Sequence, residues 1–383
     1  MIARTVFSEE HEQFRDMVRR FIAKEILPHY AEWERDGIVP RDIWLRAGEV
    51  GILCPTVPEA YRGPGGDFLH GAVVIEEMAL AGAVAPTFYL QSEIVAPYLL
   101  HFGSEEQKRR WLPGMVDGSV VTAVAMSEPS GGSDLQNLRT TARRDGDDWV
   151  VNGQKVFITN GFSADVIVLA CRTNDRPGAK GVSLLLVETD RPGFERGRRL
   201  EKLGCKAQDT AELFFSDVRV PAANLLGDEG RGFYHLMQEL AQERLVQAIR
   251  AVSSAEAAIG WTVDYTRDRQ MFGQRLSDFQ NTQFTLAQLH AEVLAQRVFV
   301  DRCMELHAEG ALDALDAAKA KLITTQLQGR VMDECLQLFG GWGYMTEYPI
   351  ARAYADARMA RIGGGTTEVM KHIIGRSLYS SGG

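Results

Sequence analysis

Val124-Ala125-Met126-Ser127-Glu128-Pro129-Ser130-Gly131-Gly132-Ser133-Asp134 lies where the texture of this chain changes, and the fold is read outward from it. Upstream, apolar residues recur at helical spacing. Ser8 is placed to cap a helix with Glu9 and Glu10 in its first turn, and Phe14, Met17, Val18, Phe21 and Ile22 then share one face. Similar patterns run over 41–51, 69–81, 91–101 and 104–117, divided by Gly and Pro breaks such as Arg62-Gly-Pro-Gly-Gly66.

Downstream, Val120 to Met126, Trp149 to Thr159, Val166 to Cys171, Val182 to Val187 and Ala211 to Phe215 are short runs rich in β-branched and aromatic residues. Asn152-Gly153 is a hairpin signal between them, and the block reads as antiparallel β. Long helical periodicity returns from Phe233 toward Arg267, from Ser277 through His307, from Leu312 to Gly340, and after Thr366. Helix, sheet and helix in blocks predict an α+β fold, mainly α, rather than alternating βαβ units. The expected domains are 1–119 (helical), 120–228 (β) and 229–383 (helical).

A length of 383 residues, 45% of them hydrophobic, suffices for several domains around a large core. A formal charge of −9 argues against a nucleic-acid partner, since phosphate affinity comes from clustered Lys and Arg. The five cysteines form no CxxC pair and the eight histidines no HExxH motif or His/carboxylate cluster, so no metal site or disulfide framework is expected. Residues Met1 to Phe7 hold no apolar run of signal-peptide length, so the fold is expected to start there. Gly71 to Tyr89 is interrupted by Glu76, Glu77, Gly82 and Pro86, so no membrane span is expected and the location expected is cytoplasmic.

The glycines of the 124–134 stretch let backbone N–H groups approach a polar ring closely, and the Ser127 and Ser133 hydroxyls supply directional hydrogen bonds. Alone, such a loop is an ordinary turn. Near the other end, Gln337-Leu-Phe-Gly-Gly-Trp-Gly-Tyr344 closes a long helix with a glycine cluster, which by itself signals no more than helix capping. Together, in this order and separation, the two stretches resemble the signature regions of the acyl-CoA dehydrogenase family. The resemblance extends through Asn152-Gly-Gln-Lys-Val-Phe-Ile-Thr-Asn-Gly161 and Arg269-Gln-Met-Phe-Gly-Gln274, and is greatest to the long-chain and isovaleryl branches. It implies a C-terminal four-helix bundle, FAD as cofactor, an acyl-CoA substrate, electron-transferring flavoprotein as acceptor, and a homotetramer built as a dimer of dimers.

By the same resemblance, Val124, Ala125, Met126, Ser127 and Ser133, with Phe157, Ile158 and Thr159, would pack against and hydrogen-bond the flavin ring. Arg269, Phe272, Gln280, Gln337, Gly340 and Gly341 match positions that hold the adenosine and pyrophosphate part across a dimer interface. Gly365, Thr366 and Thr367 match a further flavin contact. An Arg and glycine-flanked N–H groups are what a diphosphate requires. Phe157 departs from the Trp of many members, and Asn137 from a smaller residue.

Dehydrogenation next to a thioester needs a carboxylate to take the α proton while hydride leaves the β carbon. Most of the family carries that Glu just before a Gly-Thr pair. Here the matching segment is Ile362-Gly-Gly-Gly-Thr-Thr-Glu368, and the matching position is Gly364. The isovaleryl and long-chain branches instead place the base in a Glu-Arg-Leu sequence, which this chain has as Glu243-Arg244-Leu245. Glu243 sits at the edge of the stripe of Leu236, Leu240, Leu245, Ala248 and Ile249, where burial would raise its pKa toward about 6 to 7. The resemblance also implies that the backbone N–H of Gly364 helps polarise the thioester carbonyl, with Ser133, Lys180, Tyr234, Ala241, Gln242 and Arg244 lining the substrate. Arg244 is equally placed to pair with a carboxylate.

Lys202 to Phe215 and Gly341 to Ile350 look most like the long-chain branch, so a medium or long acyl chain, branched or not, is expected. Glu93 is expected to face solvent. Facing inward, it would favour a polar acyl or aminoacyl group on a carrier protein. Other readings are a flavin oxidase and a flavoprotein of binding or assembly role, for which Glu243 would have no use.

Overall fold

A computed structural model describes residues 2–380. Its helices are α1 (Glu9–Phe21), α2 (Tyr30–Asp36), α3 (Asp42–Glu49), α4 (Phe68–Leu80), α5 (Phe88–Leu90), α6 (Ala96–Phe102), α7 (Glu105–Val116), α8 (Gly232–Asp268), α9 (Gln280–Ala308), α10 (Ala314–Phe339), α11 (Pro349–Ala357) and α12 (Thr367–Ser380). Ser8 caps α1 as expected, closing a capping box with His11. A π-helical segment, Gln91–Val95, runs directly into α6.

Between the helical blocks lie β1 (Thr122–Ala125), β2 (Thr141–Asp145), β3 (Asp148–Thr159), β4 (Val166–Arg172), β5 (Val182–Glu188), β6 (Phe194–Arg199), β7 (Thr210–Pro221) and β8 (Leu225–Leu226). They form one sheet in the order β6-β7-β3-β2-β4-β5-β8, with β1 beside β4. The expectation of a purely antiparallel sheet needs correction, because β1 pairs with β4 in parallel, as does the end of β2. Residues 126–165, which include β2 and β3, separate β1 from β4, a connection long enough for that parallel pairing.

Asn152-Gly153 is not a turn. The hairpin lies at Gly146-Asp147 between β2 and β3, while Asn152 and Gly153 sit inside β3 at a register shift against β7. A Cβ on Gly153 would fall 2.6 Å from Thr140 Oγ1, so close approach of the neighbouring chain accounts for this glycine. A second irregularity, between Lys155 and Ile158, turns Phe157 out of the sheet at φ +61° with 69% of its surface exposed.

The two helical blocks are joined by a common core that includes Leu69, Ala72 and Ile75 of α4, Leu245, Ile249 and Val252 of α8, and residues of α9 and α10. Glu76 and Glu77, which interrupt the apolar run of α4, are buried and paired. Glu76 accepts from Arg4, Arg15 and Arg297, and Glu77 from Arg15 and Arg19. Removing Glu76 would leave buried Arg15 and Arg297 short of a counter-charge, so this network pins α1 and α4 to α9. Among the described residues, no helix is long and apolar enough to cross a membrane.

Candidate active site

The stripe read from the sequence places Glu243 on the inward edge of α8, where only 7% of it is exposed. Its Oε1 accepts a 2.9 Å hydrogen bond from the Tyr98 hydroxyl of α6, itself fully buried. Burial pushes the Glu243 carboxyl up to about 7. The Tyr98 bond and the charges of Arg244 and Lys321 oppose that shift, and the charge of Glu239 reinforces it. A surface pairing with Arg244 or Arg250 is not formed.

Gly364 stands opposite this face of α8. A Cβ built on it would meet Gln247 Cγ at 3.7 Å and Lys321 Nζ at 3.6 Å, and Gln247 lies one helical turn beyond Glu243. A carboxylate at either position would therefore look into the same space. Gly364 is held at φ +62° and Gly365 at φ +92°, backbone that glycine adopts without strain. Lys321 of α10, buried, donates to the carbonyl oxygens of Gly363 at 2.5 Å, Gly364 at 2.8 Å, and Gly365. Burial lowers its pKa to about 8.

Arg244 is buried; among the described residues it has no ion pair, its nearest acceptor is the Ala314 carbonyl at 3.5 Å, and its Nε has no partner. Gln242 donates to the Glu93 carbonyl at 2.8 Å and meets His307 Nε2 at 2.9 Å. Ala241 is half-buried beside it. Tyr234 lies partly exposed at the start of α8 with the Arg231 guanidinium 4.5 Å over its ring. Lys180 is exposed on a 3-10 turn, Gly178–Gly181, that packs against α8.

Glu93 does not face solvent. It is 1% exposed in the π-helical segment, its Oε1 has no partner among the described residues, and burial lifts its carboxyl to about 8, which favours the neutral form at pH 7. The extra residue of the π turn rotates it inward, and the absent side chain of Gly71 makes room: a Cβ there would lie 2.1 Å from Oε1.

The glycine loop after β1 is braced from below. Lys155, fully buried in β3, donates to the Met126 carbonyl and to Glu128 Oε1, both at 2.9 Å. Glu128 also accepts the backbone N–H groups of Arg139 and Thr140, and Val156 N–H donates to the Ser127 carbonyl at 3.0 Å. Val124, Met126 and Ser127 are half-buried and Ala125 is buried, while Ser133 is exposed in the loop. Ile158 is buried beneath exposed Phe157, and the Thr159 hydroxyl accepts from Gln208 at 3.1 Å. Thr366 accepts from the Val369 N–H at 3.3 Å and so caps α12, of which Thr367 is the first residue.

Arg269, Gln337, Gly340 and Gly341 line one cleft of about 680 Å³ between the ends of α8 and α10. A Cβ on Gly340 or Gly341 would meet nothing within 4 Å, so their backbone is open to a ligand. Phe272 and Gln280 do not join this cleft. Phe272 is 91% exposed in the β9–β10 ribbon (Gln270–Met271 and Gln274–Arg275), and exposed Gln280 opens α9. A guanidinium beside bare glycine backbone suits a diphosphate, and the half-buried groups of the braced loop beneath outward-turned Phe157 suit a flat polar ring. The residues present thus fit FAD.

The expectation of no His/carboxylate cluster is corrected. His11, Asp67 and His70 offer ligand atoms within 4.8 Å of one another. The three already bond one another, though: His11 Nε2 and His70 Nδ1 each meet Asp67 Oδ1, at 3.0 and 2.9 Å, while His11 Nδ1 accepts from Ser8 N–H and Asp67 caps α4. Tyr98, Lys321 and the Lys155–Glu128 pair are not among the site residues that the sequence reading names. For Lys321, a lysine within an apolar helical stripe was the one available hint.

The chain matches the models of the acyl-CoA dehydrogenase N-terminal domain over residues 8–119, middle domain over 123–218 and C-terminal domain over 230–379. It is 49% identical over 377 residues to the mitochondrial long-chain specific acyl-CoA dehydrogenase of Sus scrofa, covering 98% of this chain and 88% of that one. The crystal structure of an acyl-CoA dehydrogenase from Geobacillus kaustophilus superposes with a TM-score of 0.97 at 50% identity, covering 98% of this chain and all of that one. A glutaryl-CoA dehydrogenase of Mycobacterium smegmatis, solved in complex with FADH2, superposes with a TM-score of 0.91 at 27% identity, covering 99% of this chain and 96% of that one. The chain belongs to the acyl-CoA dehydrogenase family and is an acyl-CoA dehydrogenase, a flavoprotein oxidoreductase that carries FAD.

Proposed function

We propose that this enzyme converts a medium- or long-chain acyl-CoA to its trans-2-enoyl-CoA, with Glu243 taking the α proton. One observation carries the reading: Glu243, buried and titrating near 7, shares the face of α8 on which Gln247 meets the open space at Gly364. A carboxylate at that pKa is half ionised at neutral pH, which suits a base that must gain and later release a proton. FAD, when bound, supplies the acceptor for the β hydride. Val124 to Ser127, Ser133 and Phe157 to Thr159 would hold its ring; Arg269, Phe272, Gln280, Gln337, Gly340 and Gly341 its adenosine diphosphate part, shared between subunits; and Gly365 to Thr367 a further contact. The Gly364 N–H would polarise the thioester carbonyl, while Ser133, Lys180, Tyr234, Ala241, Gln242 and Arg244 line the substrate.

The acyl chain is assigned to the wall of α8 beyond Gln247, where Glu93, turned inward against Gly71, does not line the cavity and so does not call for a polar group. This small cavity of about 60 Å³ is lined by Met78, Tyr89, Gln247 and Trp261, with Arg250 and Asp356 also at its wall. The preference for a longer chain rests on the likeness to the long-chain specific relative, 49% identical over 377 residues. The same reading includes electron-transferring flavoprotein as acceptor, a dimer-of-dimers tetramer that covers exposed Phe272, a cytoplasmic location, and domain boundaries at 119/120 and 228/229.

The test is anaerobic mixing of the FAD-loaded protein with acyl-CoA thioesters of graded length and branching, scored by flavin bleaching. Medium and long chains should bleach fastest. Glu243→Gln should retain FAD and thioester binding and lose turnover by roughly 100-fold or more. Wild-type turnover in that variant would remove the base assignment, and preference for short or carrier-bound groups would remove the chain assignment.

A further inference from the structure

The Gly363-Gly364-Gly365 run is the least constrained backbone a chain can have, and glycine loses more conformational freedom on ordering than any other residue. Yet this loop is gathered at one point. The Lys321 ammonium, carried on α10 and 1% exposed, is bonded to the carbonyl oxygens of all three glycines. Three acceptors satisfy the three N–H bonds of an ammonium, so Lys321 is buried without an ion pair.

The peptide group is planar and trans, so the carbonyl of one residue and the N–H of the next point in opposite directions. Drawing the carbonyls of Gly363, Gly364 and Gly365 onto Lys321 therefore turns the N–H groups of Gly364, Gly365 and Thr366 away from it. Among the described residues, no protein group accepts a hydrogen bond from any of those three N–H groups. Three adjacent, unpaired donors held in one orientation form a nest for negative charge.

We propose that Lys321 is a positioning residue: it orders the triple-glycine loop so that the free Gly364 N–H stabilises the enolate-like oxygen of the ionising thioester, the N–H groups of Gly365 and Thr366 being left to the flavin. This deepens the reading of the site given above and rests on it. A glycine at 364, which leaves the loop without a side chain to anchor it, makes such an external tether necessary. Lys321 does not touch the reacting atoms.

The test uses the FAD-loaded protein and a 3-thiaacyl-CoA, in which sulfur replaces the β carbon so that the α proton ionises and no oxidation follows. The ionisation is followed through the long-wavelength absorbance of the bound flavin. In Lys321→Met the bound analogue should need a pH about one unit higher to ionise, and kcat should fall roughly tenfold or more while KM changes little. Lys321→Arg, which keeps charge and donors, should recover part of both. Unchanged analogue ionisation in a folded, FAD-loaded Lys321→Met protein would overturn the proposal. So would equal losses in the Met and Arg variants at unchanged FAD content. The analogue's ionisation reports on the oxygen, whichever residue takes the proton, so failure of the base assignment shows separately as retained turnover in Glu243→Gln.

Discussion

The hydroxyl of Tyr98 donates to Oε1 of Glu243 at 2.9 Å, linking α6 to α8 across 145 residues of chain. A bond to the charged form lowers a carboxyl's pKa, so Tyr98 restrains the rise that burial imposes on Glu243. Tyr98→Phe should move the acidic limb of the kcat profile from about 7 to higher pH, by about one unit. Activity lost at pH 7 should return at higher pH. A pH–rate profile superimposable on wild type would show that Tyr98 does not tune the base.

Glu243 also links stability to pH. Its folded pKa, about 7, is raised above the ordinary carboxylate value, so the folded state holds its proton after the unfolded chain has released one. The stabilisation is full below the ordinary value, is lost as pH rises to about 7, and is constant beyond. Glu243→Gln has nothing to ionise and should therefore be the more stable protein at pH 8, by up to roughly 3 kcal/mol. Its melting temperature should match wild type near pH 4.5 and exceed it at pH 8, and a difference that ignores pH would contradict the buried carboxylate.

Glu93 and Gly71 are a complementary pair, the one filling the space the other leaves. Gly71→Ala should destabilise by about 1–3 kcal/mol, because its Cβ would overlap the carboxyl. Adding Glu93→Ala should relieve most of that cost. Urea denaturation of the two single variants and the double variant measures the coupling, and strict additivity would mean the residues do not meet.

Arg269 lines the cleft with Gln337, Gly340 and Gly341 and is exposed with no carboxylate partner among the described residues. If it holds a diphosphate, Arg269→Ala should weaken FAD binding about tenfold or more, the scale of a lost charge-assisted hydrogen bond. Equilibrium dialysis of the apoprotein reads this directly. Unaltered FAD affinity would place the diphosphate elsewhere.

The order of helical and β blocks was legible because burial periodicity is local: Ser8 with the stripe from Phe14 to Ile22, and the Leu236 to Ile249 stripe of α8, each announce one buried face. Asn152-Gly153 reads as a hairpin in the sequence because Asn-Gly serves a close approach as well as it serves a turn, and only Thr140 standing over Gly153 separates the two. The inward orientation of Glu93 is hidden in the sequence for a related reason. A single extra residue in a π turn rotates a side chain by more than a quarter turn about the helix, and α-helical spacing does not register it.

The sequence by itself determined the family, the α+β layout, and the vacancy at Gly364 beside a Glu243-Arg-Leu alternative, all of which are written in residue types and short spacings. Only the tertiary structure decided what surrounds that carboxylate. Tyr98, Lys321 and Gln247 converge on the space between Glu243 and Gly364 from different helices, and the proton affinity of Glu243 is a property of that enclosure. Burial and hydrogen bonding depend on which distant segments pack together, and no local pattern of residues encodes those distances.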